Sequence, residues 1–598
     1  MTLPRELGTS SVSLDILDHT LSSSVALLDG VWERSELGLE AYLFELPIKS
    51  IGVGLYFLRF ALDTAFGRIY ATHSCGELSF TSRQPCEGLP QLTVCSFAHP
   101  APEGIYGSTI YHVFVDRFAR GGSFKTKPDA VRVPGRWKEI PEFPEYAGAP
   151  LKNNTFFGGD LKGVEKKLDY IASLGVGAIY LSPIFESVSN HKYDTGDYTR
   201  VDSMFGGERA LKSLIRAARE RGIAIILDGV FNHTGADSVY FNRYGRYDSI
   251  GAYNSVDSEF YPWFDFQHHP DKYTCWWDIE ILPRINPDIP ECRNFFTGEG
   301  GVIEKWRELG VYGFRLDVAD ELSDDFISAI KDKLAEKGES ILYGEVWEDA
   351  SNKIAYDKRK QYYLGRELDG VMNYPLRTGL IDFIRDGRCD RLRYALTEVL
   401  ENAPDRVLHS QMNLLGTHDT ERIITVLGAE SGEGHTNAEL CRMRMTAEQR
   451  AQARARLKMA YTALATLPGI PTVFYGDEAG LEGYHDPFNR MPYPWGREDK
   501  ELLMHYRLLG GIRESNPVYK KGAFELIELS GDLLIYSRKE KGEVFLTVVN
   551  RGAENITLRF DGCFDGLISA KRGRYHTVKS MTADIFKGKR RAKFELEK

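Results

Sequence analysis

Arg315 and Asp317 stand two residues apart in YGFRLDVADE (312–321), a segment otherwise apolar enough to be a buried strand. Side chains alternate along a strand, so this guanidinium and this carboxylate point to the same face. Taken alone, the pair reads as a structural ion pair. The chain carries further polar residues in equivalent places, toward the C-terminal ends of other apolar runs. These are Asp228, Asn232 and His233 in IAIILDGVFNH, Glu321 beyond the Arg–Asp pair, Glu345 in SILYGEVWED, and His418 and Asp419 in QMNLLGTHD. Carboxylates delivered to one end by three strands converge on one pocket, where acid–base and nucleophilic chemistry become available.

Convergence of that kind needs a scaffold of parallel strands. From about residue 106 apolar runs alternate with amphipathic helical segments, and eight candidate strands can be counted: STIYHVFVDRF, VGAIYLSPIF, IAIILDGVFNH, YGFRLDVADE, SILYGEVWED, LDGVMNYP, QMNLLGTHD and IPTVFYGDE. Helices such as LKGVEKKLDYIASLG and DDFISAIKDKLAEKG lie between them. The pattern predicts an α/β fold, a (β/α)8 TIM barrel over 106–510, with an inserted small domain at about 234–300 after the third strand. Residues 1–105 show short alternating runs broken by Gly, Pro and Ser, which predict an N-terminal β-sandwich, and AHPAPEGIYG reads as the linker. Alternation returns late in the chain, so 511–598 are expected to form a C-terminal β-sandwich.

The 598 residues are 42% apolar, 27% charged and 12% aromatic, a soluble globular composition with an aromatic surplus suited to stacking on flat ligand faces. A net charge of −10 argues against a nucleic-acid partner, and the basic tail KGKRRAKFELEK reads as a solvated charge run. Eight scattered cysteines, without a metal-ligand spacing, are expected to be reduced thiols. MTLPRELGTSSVSLDILDH has no basic-then-apolar leader pattern, and the most apolar stretch is broken by Arg59 and Asp63. A cytoplasmic protein without a membrane segment is the expectation.

Four of the motifs together resemble the signature regions of the α-amylase family, glycoside hydrolase family 13: LDGVFNH (227–233), GFRLDVADE (313–321), GEVW (344–347) and NLLGTHD (413–419). NHKYDTGDY (190–198) and LPRIN (282–286) are similar to segments of its neopullulanase, cyclomaltodextrinase and maltogenic amylase group. The resemblance implies a retaining α-glucan hydrolase acting on α-1,4 and possible α-1,6 bonds of malto-oligosaccharides, cyclodextrins or pullulan. Asp317 would be the nucleophile, Glu345 the acid/base and Asp419 the third carboxylate, which binds ring hydroxyls. Arg315 should keep Asp317 ionised, while apolar neighbours such as Trp347 should keep Glu345 protonated. His233 and His418 would bond the same sugar, Tyr193 would be its stacking floor, and Asp194 would meet the non-reducing end. Asp228 and Glu321 complete the substrate-binding set, with Asp486 and Arg490 as a rim salt bridge. Trp276 and Trp277 are either outer sugar platforms or packing of the inserted domain.

The chemistry requires no cofactor. A structural Ca2+ is possible, with Asn232 and Asp160 in ligand-like places, although DRFARGGSFKTKPDA departs from the Asn/Asp-rich calcium loop of several relatives. VADE stands where the group typically shows VANE, so Asp320 is a second departure. Two rival readings remain at this level: a transglycosylase using the same site, and a non-catalytic sugar-binding homologue. The domain order also implies a homodimer formed through the N-terminal domain.

Overall fold

The computed structural model describes all residues except 123–125, 133–136, 147–148, 150, 590–592 and 598. Parts of DRFARGGSFKTKPDA and of the basic tail therefore lie outside the described residues. The eight expected strands all form: β1 (Thr109–Val113), β2 (Val176–Leu181), β3 (Ala224–Gly229), β4 (Gly313–Leu316), β5 (Ile341–Gly344), β6 (Gly370–Val371), β7 (Met412–Leu414) and β8 (Ile470–Phe474). They hydrogen-bond in parallel in the order β6-β5-β4-β3-β2-β1-β8-β7, and a parallel bridge between Met372 and Met412 closes the barrel.

Period-two alternation divides every strand. Ile110, Ala178, Tyr180, Ile226, Ile341, Tyr343 and Leu414 fill the interior. Tyr111, Ile179, Leu227, Phe314 and Leu342 face outward into the layer shared with the helices. In the helix Gly207–Arg219, for instance, Leu211, Leu214, Ile215 and Ala218 are buried at helical spacing. The helix expected from LKGVEKKLDYIASLG forms as two pieces, Leu161–Lys166 and Leu168–Ala172, because Lys167 leaves helical geometry (φ −105°, ψ 9°).

Register sets the height of the polar residues. Asp228 pairs with Arg315, and Arg315 with Tyr343, across β3, β4 and β5. Gly313 permits the close approach of β4 to β5, since a Cβ there would stand 1.9 Å from the Ile341 carbonyl oxygen. One residue past each strand end, the Asp317 N–H bonds Gly229 O at 3.1 Å and the Glu345 N–H bonds Leu316 O at 2.9 Å. Both carboxylates thus emerge at the C-terminal rim.

The N-terminal residues form a three-stranded sheet (Thr2–Pro4, Val31–Glu36, Leu39–Leu43) and a six-stranded one built around Gly54–Thr64. The C-terminal sheet begins at Ala523, after a helix Lys500–Ser515 that runs through the boundary expected at 510/511. Its seven strands bend at an irregularity between Arg559 and Phe564 and enclose a core that includes Ile535, Val548, Phe560 and Phe586. Arg538, fully buried beneath it, donates to the carbonyls of Gly522, Val518 and Thr466 and so ties this sheet to the barrel.

Candidate active site

One guanidinium organises the barrel mouth. Arg315 Nη1 lies 3.0 Å from Asp228 Oδ1 and 2.9 Å from Asp317 Oδ1, and its Nη2 lies 2.9 Å from Glu345 Oε2. Asp228 is fixed from its other side by the hydroxyls of Tyr180 and Tyr193. Directly after Asp317 the chain turns through Val318 at φ +42°, a left-handed conformation that is unfavourable for a β-branched residue. That turn points the Val318 N–H at Glu345 Oε2, 3.0 Å away. The strained turn thus supplies Glu345 with a backbone donor from the residue next to Asp317.

Loops after β7, β8 and β2 supply one wall. The Tyr193 hydroxyl sits 2.5 Å from His418 Nε2, with the two rings nearly parallel at 5.2 Å. His418 Nε2 is 3.2 Å from Asp419 Oδ2, and Arg490 Nη2 is 3.7 Å from Asp419 Oδ1. Arg490 also pairs with Asp486 at 3.2 Å and donates to the His418 carbonyl, so the expected rim salt bridge doubles as a brace for Asp419. On the opposite wall His233 stacks on Trp276 (5.2 Å, 24°), which stacks on Trp277 (5.5 Å, 28°). Both indole N–H groups donate to Glu321 Oε1, and Asn232 donates to Glu321 Oε2. The tandem tryptophans thus belong to the cleft wall.

Some expectations are corrected. Trp347 is not simply an apolar screen: its Nε1–H donates to Glu345 Oε1 at 3.1 Å while its ring stacks on Tyr374 at 3.8 Å. Asp194 fastens its own loop, because Oδ1 accepts from the hydroxyls of Ser187 and Ser189. The two residues expected near calcium both have protein partners. Asp160 caps the helix Leu161–Lys166 through Gly163 N and accepts from the Gly121 and Gly122 N–H groups, while the Asn232 side-chain NH2 donates to Glu321 Oε2. Asp320 is held by the Tyr362 hydroxyl at 2.8 Å and lies 3.5 Å from Lys353 Nζ. Tyr180 and Tyr374 were missed, although the inward phase of VGAIYL marks Tyr180 as a barrel-lining position.

The electrostatics also differ from expectation. Burial pushes the Asp317 carboxyl well above the usual range; Arg315 pulls it down, but Glu345, Asp228 and Asp419 push it up again. Asp228 is likewise raised by burial against the pull of Arg315. Asp419, 31% exposed at its side chain, is pushed up to about 7 by burial and by Glu345. One cation is shared among several carboxyls, so their titrations are coupled and belong to the cluster rather than to any single residue. Burial lowers His233 to about 4 and His418 further still, so both imidazoles are neutral. His233 Nε2 is buried and finds no hydrogen-bond partner among the described residues.

The chain is similar to known proteins in both sequence and fold. A family profile described as "Alpha amylase, catalytic domain" matches residues 112–515. The chain is 36% identical over 496 residues to an amylopullulanase of Thermoanaerobacter thermohydrosulfuricus, covering 75% of this chain but 32% of that protein. It is 30% identical over 576 residues to a cyclomaltodextrinase of Geobacillus thermopakistaniensis, covering 92% and 88% of the two chains. Among solved structures, cyclic α-maltosyl-(1→6)-maltose hydrolase from Arthrobacter globiformis superposes with a TM-score of 0.66 at 27% identity, over 82% of this chain and 100% of that one.

Proposed function

Because the chain belongs to the alpha-amylase family, we propose that it is a retaining α-glucan hydrolase that cleaves malto-oligosaccharides, cyclodextrins or pullulan fragments at α-1,4 bonds, with α-1,6 cleavage as the open alternative that product analysis on pullulan decides. The observation that carries this reading is the contact of the single Arg315 guanidinium with both Asp317 and Glu345, from adjacent strands. Glu345 gives its proton to the glycosidic oxygen as Asp317 attacks the anomeric carbon, so the leaving sugar departs neutral and a glycosyl ester forms. Glu345 then takes a proton from water, and the water oxygen displaces Asp317 with net retention. Tyr193 supports the reacting ring, Asp419 binds its hydroxyls, and the unpartnered His233 Nε2 is the buried polar atom that a sugar hydroxyl would satisfy.

Time-resolved product analysis on γ-cyclodextrin, maltotriose, pullulan and soluble starch tests the assignment. Cleavage by the wild type, with kcat reduced at least about 10³-fold in Asp317→Asn and Glu345→Gln, is expected. Products longer than the substrate as the main outcome would make the enzyme a transferase, and sugar binding without cleavage would make the barrel a binding module. We further propose that it works in the cytoplasm and dimerises through the N-terminal domain. Support for an interface comes from Val25 and Leu27 on the six-stranded sheet and Val31, Trp32, Leu39 and Leu43 on the three-stranded one, all of which are exposed. All eight cysteines are unpaired, and among the described residues no helix is long and apolar enough to cross a membrane.

A further inference from the structure

Two exposed aromatic rings on different loops converge on one carboxylate outside the catalytic cluster. Trp277, in the inserted segment after β3, is 76% exposed and donates to Glu321 Oε1 at 3.3 Å. Tyr356, in the loop after β5, is 67% exposed. The segment that carries Tyr356 packs beside Glu321, since Lys353 Nζ lies 3.5 Å from Asp320 Oδ2 and Lys360 donates to Leu322 O at 2.7 Å, the two residues that flank this carboxylate. Glu321 and Arg284 also line a hollow of about 460 Å³ that includes Asp265 and Asp288, a size within the roughly 300–1,000 Å³ of small-molecule sites.

The backbone at both rings is costly to hold. Tyr356 and Asp357 form the two-residue tip of a hairpin in which Ile354 pairs with Arg359 and Ala355 with Lys358, and their φ values are +52° and +61°. Such tips favour Asn and Gly, whereas a bulky aromatic at the first position is strained by about 1 kcal/mol or more. Trp277 and Asp278, in a short helical turn rather than a hairpin, also have positive φ values of +50° and +59°. The hairpin is held rigidly from both sides. Arg359 donates to His19 O at 2.8 Å and lies over the Phe57 ring at 5.0 Å, and Asn352 donates to Gln91 Oε1 at 2.9 Å, all within the N-terminal domain. On the barrel side Lys360 donates to Leu322 O at 2.7 Å and Tyr362 to Asp320.

We propose that Tyr356 and Trp277 clamp a glucose unit of the leaving-side chain between their faces over Glu321, and that the protein's own N-terminal domain positions Tyr356 for this contact. The proposal rests on the α-glucan reading above. It assigns the leaving side because Tyr356 and Trp277 stand on the loops after β5 and β3, flanking the acid Glu345 and the turn after β4. Tyr193, Asp419 and Arg490 occupy the other half of the rim. The flat apolar faces suit a pyranose, and Glu321, with Arg284 donating to its carbonyl at 3.3 Å, suits its hydroxyls.

The test measures maltohexaose affinity by calorimetry in the Asp317→Asn background, and KM on maltohexaose in the active chain, for Tyr356→Ala, Tyr356→Phe, Tyr356→Gly and Trp277→Ala. The Ala variants should each weaken both quantities by about 3- to 10-fold. The Phe variant should stay within about twofold of wild type, since the stacking face persists. Tyr356→Gly should bind as poorly as the Ala variant while its melting temperature equals or exceeds that of wild type, because the strained turn is relaxed. Unchanged affinity in the Ala variants, or a lower melting temperature in Tyr356→Gly, would overturn the clamp. A wild type that cleaves no α-glucan would instead defeat the functional reading, and the affinities would still decide the clamp.

Discussion

Removing the Arg315 side chain would leave Asp228, Asp317 and Glu345 buried without their shared cation. Arg315→Met is therefore expected to lose about 3–5 kcal/mol of stability, with a larger loss at pH 8 than at pH 5, because the raised carboxyls of Asp228 and Asp317 take up protons on acidification; denaturant melts at the two pH values check it. Asp419 gives the complementary prediction. Its folded-state carboxyl lies near 7, above the ordinary 3.8, so the stability it contributes below pH 3.8 is lost as the pH rises through 7. Asp419→Asn should match the wild-type melting temperature near pH 4 and exceed it by roughly 1–3 °C at pH 8.5. Arg315, Asp317, Glu345 and Asp419 could be read from the chain because strand alternation and strand ends dictate where they point. The Trp347 donation to Glu345 and the fastening of Asp194 could not, since both depend on loop paths that no periodicity encodes.

Strands carry most of what was legible at the next scale, because parallel strands buried on both faces announce themselves as apolar runs bounded by turns. The split helix at Lys167 and the hairpin Ile354–Arg359 were not legible, the second because Tyr-Asp is a poor turn sequence that neighbouring contacts impose. Asp160 shows how a residue's chemistry can mislead when its element is unknown: a carboxylate in FFGGD suits an ion, yet it caps a helix. Asp160→Ala should cost about 1 kcal/mol in thermal or denaturant unfolding, equally with calcium and with a chelator. A loss seen only when calcium is present would restore the ion site.

Over the whole molecule, the N-terminal sheets act on the barrel through the loop that follows Glu345, with contacts at Gln91, His19 and Phe57. Their exposed apolar edge is predicted to pair two copies, and Trp32→Asp should shift gel filtration from dimer to monomer at micromolar concentration. A monomeric wild type with the same preference for short substrates would remove the dimer. The central claim, that Asp317 becomes covalently attached to the sugar, is tested most directly by intact-mass and peptide mapping after reaction with 5-fluoro-α-glucosyl fluoride. A single added glycosyl unit is expected on the peptide bearing Asp317. An enzyme that turns over the reagent without any adduct, or carries it on another residue, would contradict it.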